Sequence, residues 1–76
     1  MKVKIYSLPD CIYCKKTKEY FKTNNIEYED INLEDNEEAQ KEMEKISEQR
    51  SVPVIVIDEK VIVGFNEDKL NDIFKK

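Results

Sequence analysis

The sequence predicts an α/β fold, a four-stranded mixed sheet with three helices in the order β-α-β-α-β-β-α. Two observations carry this. Residues 2–33 read strand, helix, strand, and strands joined through a helix lie parallel with a right-handed crossover. Further on, the β-branched runs Val52–Ile57 and Val61–Val63 flank Asp58-Glu59-Lys60, a hairpin turn that adds antiparallel strands. With 76 residues and 39% hydrophobic content the chain is expected to form one domain over 1–76, near the smallest size that a single core supports.

Each element has its own signal. Val3, Ile5 and Leu8 give the first strand the spacing of a half-buried segment, and Pro9-Asp10 stops it. Cys14, Thr17, Tyr20 and Phe21 then recur at three and four, so a helix runs from Cys11 to about Asn24. Ile26, Tyr28, Ile31 and Leu33 mark a second strand whose alternation slips by one residue, the sign of a bend or an early end. Asp35 or Asn36 caps a helix over 36–48, with acids in its first turn and Ala39, Met43 and Ile46 as its apolar stripe. Val52–Ile57 is a strand buried on both faces, and Val61–Val63 returns beside it up to the only glycine, Gly64. Asn66 caps the last helix, Glu67 to about Phe74, which buries Leu70, Ile73 and Phe74.

Charge is segregated although the net value is only −4. Residues 1–26 hold six lysines against Asp10 and Glu19, while residues 27–48 hold ten acids against Lys41 and Lys45. The acidic run reads as a solvated helix face. An acidic chain without a large basic cluster has little to neutralise phosphates with, so nucleic acid is excluded as a partner. No leader-like segment opens the chain and no apolar run is long enough for a membrane span, so a soluble cytoplasmic monomer is expected.

The chemistry lies in YSLPDCIYCKK, where Cys11-Ile12-Tyr13-Cys14 holds both cysteines. Two cysteines without a histidine cannot close a zinc site within one chain, so no metal ligands are assigned. As a structural disulfide the pair would close a very short loop and restrain little unfolded-chain entropy. A redox dithiol fits the position. At the start of a helix, unpaired N–H groups and the dipole favour the thiolate of Cys11, with Cys14 one turn further in as the second thiol.

Taken with Tyr6-Ser7, the segment Gln49-Arg50-Ser51-Val52-Pro53, the hairpin ending at Gly64 and the helix start Asn66-Glu67-Asp68, this motif resembles the glutaredoxins, and more narrowly the small NrdH-type redoxins. The resemblance implies a thioredoxin fold with a cis peptide before Pro53, Cys11 and Cys14 as catalytic residues, and Tyr13 beside the active-site groove. It also implies a substrate or glutathione groove formed by Gln49, Arg50, Val52, Pro53, Gly64, Phe65, Asn66 and Asp68. The activity implied is dithiol-disulfide exchange on disulfide-bearing proteins or small disulfides, with no tightly bound cofactor.

Departures from the family pattern bear on the reductant. Ile12 replaces the usual motif proline, Leu8 stands where a cation receives the glycine carboxylate of glutathione, and Phe65 replaces the second glycine of a Gly-Gly turn. Glu67 brings negative charge to a helix start that should receive a carboxylate. Leu8 and Phe65 point to thioredoxin reductase as electron donor, whereas Tyr13, Gln49, Arg50 and Asp68 point to glutathione. Phe65 can also be a simple core residue beside the last helix. A rival of another class is a metal-handling module in which two chains share an iron-sulfur cluster through Cys11; another is a binding module whose thiols are incidental.

Overall fold

The computed structural model describes residues 2–75. Its elements are β1 (Val3–Ser7), α1 (Ile12–Thr23), β2 (Glu29–Asn32), α2 (Glu37–Ser47), β3 (Val54–Ile57), β4 (Lys60–Val63) and α3 (Glu67–Phe74). The sheet order is β2-β1-β3-β4, with β1 parallel to β2 and antiparallel to β3, and β3 antiparallel to β4. This is the mixed sheet with three helices that the sequence predicts, and it has the arrangement of the thioredoxin fold.

Two apolar clusters sandwich the sheet. One joins Val3, Ile5, Ile55, Ile57 and Ile62 to Tyr20 and Phe21 of α1 and Leu70 of α3. The other joins Tyr6, Val54 and Leu33 to Ala39 and Met43 of α2. Alternation along β3 supplies both, because Ile55 and Ile57 point one way and Val54 the other. Phe21 anchors the larger cluster, with ring centroids 5.1 Å from Tyr28 and 6.1 Å from Phe74. Burying a ring of this size stabilises the fold by about 1.5–3 kcal/mol.

The strands near the sheet centre differ from expectation. β1 is buried on both faces, since Tyr6 and Ser7 are as enclosed as Val3 and Ile5. Its position between β2 and β3, with helices on both sides, overrides the alternating pattern; the Tyr6 hydroxyl is accommodated by donating to Glu42 at 2.9 Å. Leu8 lies beyond the strand and is exposed. β2 has only four residues. Ile26 and Tyr28 pack on the first cluster, Ile31 and Leu33 belong to the second, and the slipped alternation marks that change of side.

Helix ends follow local chemistry. Asn25 closes α1 in the left-handed region, with Ile26 N–H donating to Phe21 C=O at 2.8 Å and Asn25 N–H to Lys22 C=O at 3.2 Å. Asn36 and Asn66 cap α2 and α3 by accepting from the backbone N–H of Ala39 and Lys69, both at 3.1 Å. Ile46 is exposed rather than core, at an open corner beside Tyr6 and Val56. Among the described residues no helix is long and apolar enough to cross a membrane.

Candidate active site

The chain reaches α1 through a tight turn. Pro9 sits second in a four-residue turn closed by Cys11 N–H donating to Leu8 C=O at 3.3 Å, which delivers Cys11 to the helix start. Cys11 is the N-cap, with extended backbone, and its Sγ accepts the backbone N–H of Cys14 at 3.2 Å. The helix therefore begins one residue after the first cysteine, at Ile12. In α2 and α3 an asparagine oxygen caps and two acids fill the first turn; the first turn of α1 contains no acid. The positive end of α1 is left to the sulfur of Cys11, which accepts a first-turn N–H with no acid competing for it.

Cys14 is in the opposite environment. It is fully buried, and its thiol is pushed up to about 12, chiefly by burial and then by a hydrogen bond with Cys11 and repulsion from a Cys11 thiolate. A backbone hydrogen bond from Leu8 and the charge of Lys18 act against this. Cys14 thus keeps its proton while Cys11 is free. Both cysteines are unbridged.

This burial predicts a pH dependence of stability. The thiol of Cys14 rises from an ordinary 9.0 and the phenol of Tyr6, buried and hydrogen-bonded to Glu42, from 10.0, each to about 12. Each group binds its proton more tightly folded than unfolded, so its stabilisation is intact below the unfolded value and is lost as pH rises through the folded one. Thermal melts of the reduced protein should lose midpoint from about pH 9 upward. The disulfide form lacks the thiol contribution and should begin to fall later, near the phenol's range; coincident curves for both forms would refute the assignment to Cys14.

Around the dithiol the sequence-predicted residues divide into separate groups. Ile12 and Tyr13 are 68% and 58% exposed, and Lys16 lies over the Tyr13 ring at 5.3 Å from its centroid. Leu8, Arg50 and Val52 line a cleft of about 280 Å³ together with Leu33, Met43 and Glu44. The Val52-Pro53 peptide is cis, as the resemblance implies, and Pro53 C=O accepts Gly64 N–H at 2.7 Å, tying the hairpin's end to this loop. Gly64 has φ +81 and a Cβ there would meet nothing within 4 Å, so backbone conformation rather than space requires glycine.

Phe65 is not in that cleft. It stands edge-on to Tyr20 at 6.3 Å, packs on the first core cluster, and lines a separate groove of about 560 Å³ with Lys16, Glu19, Glu67 and Asn71. Gln49 uses its amide on Ser47 and Ser51, and Arg50 pairs with Glu44 at 2.7 Å. Asn66 spends its oxygen as the α3 cap, with Asp68 exposed in the first turn. Residues that sequence reading passed over lie beneath α1: Lys18 pairs with Asp30 of β2 at 2.8 Å, and Asp30 accepts from the buried Ser7 hydroxyl at 2.8 Å. The spacing of Lys18, one turn after Cys14, was the available signal.

Comparison with known proteins agrees with this geometry. The glutaredoxin family model matches residues 3–62. A glutaredoxin-like 8.6 kDa protein in a rubredoxin operon of Clostridium pasteurianum is 47% identical over 74 residues, covering 97% of this chain and 99% of that protein. The crystal structure of a glutaredoxin from Archaeoglobus fulgidus superposes with a TM-score of 0.89 at 31% identity, covering 99% of this chain and 87% of that one. NrdH-redoxin from Escherichia coli, a glutaredoxin-like protein, superposes with a TM-score of 0.83 at 29% identity, covering 96% and 95%. With a helix-capping dithiol, a cis-proline loop and a matching family model over most of its length, the chain belongs to the glutaredoxin family.

Proposed function

We propose that this protein is a dithiol-disulfide oxidoreductase in which Cys11 attacks and Cys14 resolves. The supporting observation is the asymmetry of the pair: the Cys11 sulfur accepts a helix N–H at 3.2 Å while Cys14 is buried. A Cys11 thiolate attacks one sulfur of a substrate disulfide, forming a mixed disulfide and expelling the other sulfur as a thiolate. Cys11 then carries no negative charge, and the repulsion that helped hold the Cys14 proton is gone. Cys14 loses its proton and attacks Cys11 Sγ, forming the intramolecular disulfide and releasing the second thiol. Two electrons pass to the substrate, and an external reductant returns them. No bound cofactor takes part.

An extended substrate segment would lie along the cleft of Leu8 and Val52, pairing with the Val52 backbone ahead of Pro53. For the electron donor we favour a reductase protein of the thioredoxin reductase type over glutathione. Gln49 is engaged in its own loop, and the start of α3 carries its own cap and the acid Glu67 where a glutathione carboxylate would dock. Exposed Leu8, Ile12 and Tyr13 beside Cys11 give a protein partner apolar surface. E. coli NrdH-redoxin is described as having a thioredoxin-like activity profile, consistent with this choice. Such a carrier would work as a monomer in the cytoplasm, where thiols are kept reduced.

The reading is tested by alkylating the reduced native protein with iodoacetamide near pH 7 and mapping the label. Cys11 alone should be modified, Cys14 only after unfolding. Preferential labelling of Cys14 would reverse the roles.

A further inference from the structure

The second half-reaction demands something that the buried site resists, a thiolate at Cys14. Cys14 and Lys18 are four residues apart on one helix, so their side chains rise from the same face, with Cβ atoms about 5–6 Å apart. Cys14 and Thr17 are buried on that face and the Lys18 side chain is only 24% exposed, so its charge is less screened than that of the exposed Lys15 and Lys16. Lys18 is also held. Its ammonium is 2.8 Å from Asp30 on β2, and Asp30 is held in turn by the hydroxyl of Ser7, itself 1% exposed at the end of β1. Two strands therefore fix a lysine one turn behind the second thiol.

We infer that Lys18 is a positioning residue for resolution of the mixed disulfide, its anchored ammonium stabilising the Cys14 thiolate as that forms. The inference rests on the dithiol mechanism above. Lys18 transfers no proton: Cys14 releases its proton to solvent, its sulfur bonds to Cys11 Sγ, the bond from Cys11 to the substrate sulfur breaks, and the substrate leaves as a thiolate. A Cys11 thiolate raises the Cys14 thiol and the charge of Lys18 lowers it. Asp30 opposes Lys18 but stays bound to it; Asp10 in the preceding turn and Glu67 and Asp68 at the start of α3 are exposed to solvent.

The test is stopped-flow mixing of the reduced protein with dithiobis(nitrobenzoate), whose aryl thiolate product is yellow. One equivalent is released as Cys11 forms a mixed disulfide with half of the reagent, and a second when Cys14 attacks Cys11 Sγ and displaces the other aryl thiolate. Lys18→Gln should leave the first phase within about twofold, showing an intact fold and nucleophile, and slow the second about three- to tenfold. The pH midpoint of the second phase should move up by about half a unit or more, and Lys18→Arg should restore it. A second phase with the parent's rate and pH profile in Lys18→Gln would overturn the role of Lys18 alone. Absence of a second phase in the parent protein would overturn the dithiol mechanism itself. Equal slowing of both phases would show a structural role and also refute the inference.

Discussion

Cys11→Ser should abolish disulfide reduction, lowering turnover by about a thousandfold or more, because an alcohol at the helix start is not ionised at neutral pH. The serine oxygen can still cap α1, so the fold should persist. Loss of activity without loss of the melting transition is therefore the expected pattern. Cys14→Ser separates the two thiols further. Its Cys11 still has the N-cap position and the N–H of residue 14, so attack on a protein disulfide should proceed, but the mixed disulfide has no neighbouring thiol to break it. Mass spectrometry should then find one substrate chain trapped on Cys11 at near stoichiometric yield. If Cys11→Ser kept a tenth of the parent's turnover, or if Cys14→Ser cycled freely on protein disulfides, the assignment of roles would fail.

The dithiol was legible in the sequence because its chemistry is local. A C-x-x-C after a strand and before a helical stripe puts Cys11 at the helix start and Cys14 one turn further in; the structure keeps that order, with Cys11 as the N-cap just ahead of the helix and Cys14 buried. Caps were legible for the same reason: Asn36 and Asn66 need only their own next turn. Tertiary context decided the remainder. The burial of Tyr6 depends on α2 supplying Glu42 from 36 residues away, and the pairing of Lys18 with Asp30 joins a helix to an edge strand through a crossover that spacing alone does not register. The surroundings of Phe65 and Leu8 were also beyond reach. Both depart from the glutathione-binding pattern, yet they line different recesses that share no lining residue, so they act on a ligand independently.

That independence shapes the expected choice of reductant. In paired turnover assays on one small disulfide, thioredoxin reductase should sustain reduction, while glutathione with glutathione reductase should support about a tenth of that rate or less. The ion pair of Arg50 with Glu44 is not the main obstacle: the arginine side chain is 87% exposed, and such a pair contributes no more than about 1 kcal/mol, which a bound carboxylate could offset. The obstacles are the uncharged Leu8 in the cleft and the acid Glu67 at the start of α3, which raise the cost of bringing a carboxylate to either end. Leu8→Lys places a cation beside Glu44, competes for it and frees Arg50, so the glutathione-driven rate should rise about three- to tenfold, the worth of one charge-assisted hydrogen bond. Because Phe65 lies in the other groove, Phe65→Gly should leave that gain unchanged and the two substitutions should combine additively. Turnover supported by glutathione alone in the parent protein would reject the reductase assignment, and a Leu8→Lys variant indifferent to glutathione would show that the cleft is not where its carboxylate binds.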